Sequence, residues 1–196
     1  MTARLETGFA DAARDSQRVF RAIMTAMARP GTVVALDAGL APPDPLAPGA
    51  AALALALCDF ETPVWLDPAL ANPEAVAWLR FHTGAPVVEA PGKAAFAFAA
   101  SPLGLPDLEA FALGSPEYPD RSTTVIVQLR SLDAGAGWRL TGPGIESAAT
   151  LAPAPLPRDF VARRAALRPL FPRGLDFVFV VERQAAALPR TTVIEA

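Results

Sequence analysis

The chain has 196 residues, with 17 basic and 20 acidic side chains, one His and one Cys. A single His82 and a single Cys58 supply neither a disulfide framework nor a Cys/His zinc site, so no metal site of that kind is expected. A net charge of −3 lacks the clustered basic surface of a phosphate-backbone reader, which argues against nucleic acid as a partner.

The length suits one domain, 1–196, large enough to bury about 70% of its unfolded surface without staples. Met1 to Thr7 is followed by Gly8 and charged residues, not by the apolar stretch of a signal peptide. The longest apolar run, Ala50 to Cys58, falls far short of the roughly 20 residues of a membrane span. A cytoplasmic chain without a membrane helix is expected, and the lone Cys suits a reducing compartment. Hydrophobic residues make up 52% and charged ones 19%, against about 25% charged in ordinary domains. This thin polar cover points to an oligomer.

In chain order, Asp15 or Ser16 is placed to cap a helix running to about Ala28, with Val19, Phe20, Ile23, Met24 and Met27 on one stripe. Arg29-Pro30-Gly31 stops it. Thr32 to Leu36 has a short β-branched pattern, and the prolines from Pro42 to Pro48 form a loop. Ala50 to Leu57 is apolar on every side, as in a buried helix, and Thr62 to Leu66 reads as a short buried strand. Asn72-Pro73-Glu74 reads as cap, first helical residue and first-turn carboxylate of a helix reaching about His82. Thr83-Gly84-Ala85-Pro86 breaks it.

Lys93 to Ala99 reads as extended and Pro106 to Leu113 as a short helix. Thr123 to Leu129 is the strongest strand signal, with Trp138 to Thr141 as its expected neighbour. A helix from about Arg158 to Leu167 follows, and Leu175 to Val181 is a near-continuous apolar strand, covered on both faces. Helices alternating with apolar strands predict an α/β three-layer sandwich with a mostly parallel or mixed central sheet.

Tests for known chemistry are mostly negative. Gly92-Lys93 is followed by Ala94, so no P-loop forms. After Gly142 and Gly144, Ser147 stands where a dinucleotide fingerprint needs its third glycine. A serine nucleophile elbow is absent. His82 shares a helix face with Ala75, Trp78 and Leu79. It reads as a paired structural histidine, or as a cation at a helix C-terminus acting with Arg80 as acid or anion ligand. Two residues apart on a helix, however, Arg80 and His82 point away from each other.

Cys58 has no basic neighbour in the sequence and reads as an inert thiol. Asp59 and Glu61 read as solvated carboxylates, with magnesium binding the lesser alternative. Arg190-Thr191-Thr192 offers a guanidinium and two hydroxyls for an anion, against the plainer reading of a polar tail. Lys93, the sole lysine, is the only group able to form a Schiff base with pyridoxal phosphate; outside a pocket it cannot serve.

Several segments take a recognisable order along nearly the whole chain. They are Gln17, Phe20 and Arg21 with Met27, Pro30 and Gly31; Thr62-Pro63-Val64-Trp65-Leu66; and Leu79-Arg80-Phe81-His82-Thr83 with Ala85-Pro86. Arg139-Leu140-Thr141-Gly142 with Gly144-Ile145 follows, then Phe171-Pro172 with Gly174 and Asp176, then Leu188-Pro189-Arg190-Thr191-Thr192. The ordered set resembles the PhnH family, a subunit of the bacterial carbon-phosphorus lyase core complex.

The resemblance implies a fold like the large domain of PLP-dependent transferases, but without the PLP site and with no other resident cofactor. It also implies a homodimer in isolation and the other core subunits as partners. The implied reaction is displacement at the ribose C1′ of ATP, in which a phosphonate oxygen replaces adenine to give α-D-ribose 1-alkylphosphonate 5-triphosphate. ATP is then a substrate of the complex. Carbon-phosphorus cleavage belongs to an iron-sulfur subunit, and one Cys cannot hold such a cluster. Arginine clamps suit the charges of triphosphate and phosphonate, and a protonated group suits the departing base. Arg80, His82, Arg190, Thr191 and Thr192 fall inside the matching segments and are the substrate-binding candidates. The alternative is a non-catalytic scaffold or assembly subunit of the same complex.

Overall fold

A computed structural model describes residues 8–195. Helix α1 (Ala12–Ala28) begins at Asp11, whose carboxylate accepts from the Arg14 N–H at 3.1 Å while Asp15 accepts from the Asp11 N–H at 3.1 Å. The cap therefore lies one turn before the expected Asp15 or Ser16, because the two carboxylates act reciprocally on the free first-turn donors. Val19, Ile23 and Ala26 are buried, whereas Phe20 and Met24 of the expected stripe are 47% and 49% exposed.

Strand β1 (Val33–Ala35) leads through the proline loop to α2 (Pro48–Leu57), in which Gly49 to Leu53 and Ala54 are buried, as an all-apolar helix requires. Strand β2 (Val64–Leu66) precedes α3 (Pro73–Thr83). Asn72 caps α3 by accepting from the Ala75 N–H at 2.9 Å. Gly84 ends it in the left-handed region at φ 71°, a conformation without penalty only for glycine. Next come β3 (Phe96–Ala99), β4 (Thr124–Gln128), β5 (Ser131–Thr141) and β6 (Ala149–Ala154). The chain ends with α4 (Phe160–Ala166), β7 (Asp176–Val181), β8 (Gln184–Leu188) and β9 (Val193–Glu195).

The fold is α/β with a mixed central sheet, strand order β1-β8-β7-β4-β3-β2. Neighbours among β2, β3, β4 and β7 are parallel, and β8 is antiparallel to both β7 and β1. The pleat sorts side chains strictly. Val64, Leu66, Phe98, Ile126, Val178 and Val180 face α1, α2 and α3. Trp65, Val125, Val127, Phe177 and Phe179 face Phe160 and Leu167 of the α4 region and Leu140 and Leu151 of a second sheet. That sheet, antiparallel in the order β6-β5-β9, shares the second covering layer with α4, so the layer is only partly helical.

Two expected elements differ. Pro106 to Leu113 forms only a single 3-10 turn, Leu108–Ala110. Beyond it the backbone is held extended: Thr123 N–H donates to Ala112 O at 2.8 Å, and Leu113 bridges Ser122. The segment Trp138 to Thr141 does not neighbour β4, because β4 has both edges occupied, by β3 and β7. It pairs instead with β6 and β9. No helix among the described residues is long and apolar enough to cross a membrane.

Candidate functional site: an arginine-lined cavity

Parallel strands give the central sheet two chemically different ends, and each end carries a cavity. At the amino-terminal end Asp176 opens β7, and the antiparallel turn back through β8 pairs Phe177 with Leu188. This register delivers Arg190 to Asp176. The Arg190 N–H donates to Asp176 Oδ1 at 2.7 Å and Nη2 to Oδ2 at 2.5 Å, and both side chains are about 15% exposed. Nη1 donates to Pro119 O at 2.8 Å, and Nη2 also donates to the Ser122 hydroxyl.

A cavity of about 330 Å³ adjoins this pair, lined by Arg164, Arg168, Arg173 and Arg190 with Phe171 and Thr191 among its other walls. Arg164 lies in the last turn of α4 and Arg168 opens the 3-10 turn Arg168–Leu170 that follows it, and both line this cavity. Gly174 lies in the wall at φ 151°. Arg164 is the least comfortable of the four. Its Nη2 donates to Pro189 O at 2.5 Å, while its Nε is buried without a partner among the described residues. Burial pushes its pKa down to about 10, Arg168 pushes the same way, and Asp176 opposes both. Four guanidinium groups against one carboxylate leave an excess of positive charge, which favours an anionic occupant.

The five expected site residues separate. Thr191 is exposed in the cavity wall, and Arg190 is a wall whose guanidinium is already committed to Asp176, Ser122 and Pro119. Thr192 is 2% exposed, with its hydroxyl buried and unpartnered, and lines neither cavity. Arg80 is exposed on α3, while His82 is half-buried, 4.6 Å from the Trp78 ring and 5.0 Å from Phe81. Neither lines a cavity. Sequence reasoning missed Arg164, Arg168 and Arg173. The available signal was density, since five of the sixteen arginines fall between 158 and 173.

The remaining candidates are accounted for locally. Burial, and then Asp59, push the Cys58 thiol up to about 12, which leaves it protonated and unreactive. The Asp59 carboxylate accepts from the Thr62 hydroxyl at 2.5 Å and the Glu61 N–H at 2.9 Å, and the Thr62 bond first of all holds its pKa low. Lys93 lies exposed at the end of a 3-10 turn, outside both cavities. The second cavity, about 550 Å³, lies at the carboxyl-terminal end of the parallel strands.

Residues 7–195 match the profile of the family described as bacterial phosphonate metabolism protein (PhnH). The chain is 44% identical over 187 residues to the alpha-D-ribose 1-methylphosphonate 5-triphosphate synthase subunit PhnH of Rhizobium meliloti (strain 1021), covering 95% of this chain and 94% of that one. It is also 35% identical over 82 residues to a putative C-P lyase subunit protein, HtxG, of Stutzerimonas stutzeri, 42% of each chain. With a family match over residues 7–195 and 44% identity to a relative across 95% of its length, the chain belongs to the PhnH family of bacterial phosphonate metabolism proteins.

Proposed function

We propose that this protein is a subunit of a ribose 1-methylphosphonate 5-triphosphate synthase and that its arginine cavity holds the anionic part of a substrate. The observation that carries the reading is the cavity itself: Arg164, Arg168 and Arg173 converge beside a satisfied Asp176–Arg190 pair in a chain whose net charge is −3. The reaction is displacement of adenine from ATP by an alkylphosphonate. Triphosphate and phosphonate both offer tetrahedral oxyanions, the geometry that guanidinium forks bind best. Holding them also aligns nucleophile and sugar, which is how positioning lowers a displacement barrier.

In this reading Arg190 is a positioning residue, fixing the cavity wall through Asp176. Arg164, Arg168, Arg173 and Thr191 contact the anion. No resident cofactor is required, and the exposed Lys93 supports a function without pyridoxal phosphate. A role as an assembly subunit is the second reading, supported by the exposure of Phe60 (74%) and Phe81 (65%). Phe171, at the cavity rim and 63% exposed, suits a site completed by a partner subunit in the assembly.

The test is thermal and calorimetric titration of the isolated full-length chain with ATP, inorganic triphosphate and adenosine. ATP and triphosphate are expected to raise Tm, adenosine is not, and Arg168→Ala is expected to weaken binding by about tenfold or more, the loss of one charge-assisted contact. If neither polyanion stabilises the chain, or if both stabilise Arg168→Ala equally well, the anion-holding role is wrong.

A further inference from the structure

The cavity at the carboxyl-terminal end of the parallel strands takes no part in the proposed anion binding. Open α/β sheets bind ligands outside the carboxyl ends of their strands, where loops diverge from a rigid scaffold. Here the loops after β3, β4 and β7 contribute Leu103, Leu129 and Glu182, and the loop before α2 contributes Asp44.

Three contacts hold those loops in place. Gln128 bridges the proline loop, its Oε1 accepting from Ala47 N–H at 2.7 Å and its Nε2 donating to Pro45 O at 2.8 Å. Asp67, 1% exposed, accepts from the Ala100 N–H at 2.9 Å and so anchors the segment carrying Ser101 and Leu103. Gly49 brings the first turn of α2 against Glu182, donating to its carbonyl at 2.7 Å; a Cβ there would stand 2.7 Å from that oxygen. Walls fixed by such contacts make a pre-formed cavity, and about 550 Å³ falls in the range of small-molecule sites.

Glu182 is an exposed residue in the wall of this cavity. It is the only non-glycine with positive φ among the described residues, at 48°, in the tight turn between β7 and β8. Val181 pairs with Gln184, so Glu182 is the first central residue of a two-residue hairpin turn, where positive φ is the geometry the turn requires. The cavity's walls are otherwise dominated by leucines and prolines, with Asp44 and Glu182 against Arg130 as its charged groups. Asp44 and Glu182 are both exposed, and neither carboxylate has a hydrogen bond or ion pair among the described residues, which leaves both open to a cation.

We propose that this cavity is a second ligand site, distinct from the arginine cavity, for a small apolar-bodied molecule carrying an amino group. Glu182 and Asp44 accept from the amine, and the leucine and proline walls cover the body. The excess carboxylate rejects acids of the same shape.

Saturation-transfer NMR and calorimetry on the full chain test this with two probes of matched shape and opposite charge, tryptamine and indole-3-propionate. Tryptamine is expected to bind saturably and about tenfold or more better than the acid, as one charge-assisted hydrogen bond would give. The Asp44→Asn, Glu182→Gln double variant should erase that preference, and Leu156→Trp should fill the cavity and abolish binding. Glu182→Gly should raise Tm by relieving strain while weakening tryptamine, a separation that a merely structural glutamate would not produce. Arg168→Ala should bind tryptamine as wild type does, which separates this site from the anion cavity. No saturable tryptamine binding, a preference for the acid, or unchanged binding in folded Leu156→Trp would overturn the proposal.

Discussion

Arg164 is charged, partly desolvated and incompletely hydrogen-bonded, and burial holds its pKa at about 10, well below the ordinary arginine value. A base whose folded pKa is depressed binds its proton more readily when unfolded. Its effect on stability is therefore unfavourable below about pH 10 and fades as pH rises from there towards the ordinary arginine range. Arg164→Met is expected to raise stability at pH 7, by about 1 kcal/mol, while losing stabilisation by triphosphate. Thermal scans with and without triphosphate read both effects. Asp176→Ala acts oppositely, since it strands the Arg190 guanidinium in a site where it is about 15% exposed. A loss of about 3–5 kcal/mol is expected in denaturant titrations. Cys58 sets an alkaline limit: folded, it keeps its proton to about pH 12, whereas the unfolded thiol ionises near 9. Stability falls as pH rises across that window, and Cys58→Ala should flatten the fall in a denaturation series across it.

At the scale of elements, what was legible in the sequence was what local chemistry decides. The start of α3 is written in Asn72-Pro73-Glu74, and Asn72→Ala is expected to cost about 1 kcal/mol in urea unfolding by freeing the Ala75 donor. The all-apolar α2 and the strands β4 and β7 were equally readable, because burial on every side leaves no alternative to a core position. Strand β8 was not, since Gln184 to Leu188 is mostly alanine, a poor strand former, and is extended because β7 and β1 pair with it on both edges. The fate of Trp138 to Thr141 likewise depends on partners distant in sequence, β6 and β9. Of the residues lining the arginine cavity, Arg190 and Thr191 are singled out by their sequence segment. Arg164, Arg168 and Arg173 are not, because only the return of β8 to Asp176 reveals that α4 and the turn after it face the same space.

For the whole molecule, a chain of net charge −3 that gathers guanidinium groups at one end of its sheet and carries an acidic, apolar cavity at the other is organised for ligands of opposite character. The exposed Phe60, Phe81 and Phe171 lie outside the core and give partner subunits apolar surface to cover. The most direct test of the proposed role is adenine release from ATP and methylphosphonate by reconstituted synthase subunits. It is run with the wild-type chain, with Arg168→Ala and with the chain omitted, and assembly is followed by gel filtration. The proposed role predicts that release falls by about 100-fold or more on omission and by at least about tenfold with Arg168→Ala, while the variant still co-elutes with its partners. Undiminished release from an intact assembly containing Arg168→Ala would contradict it.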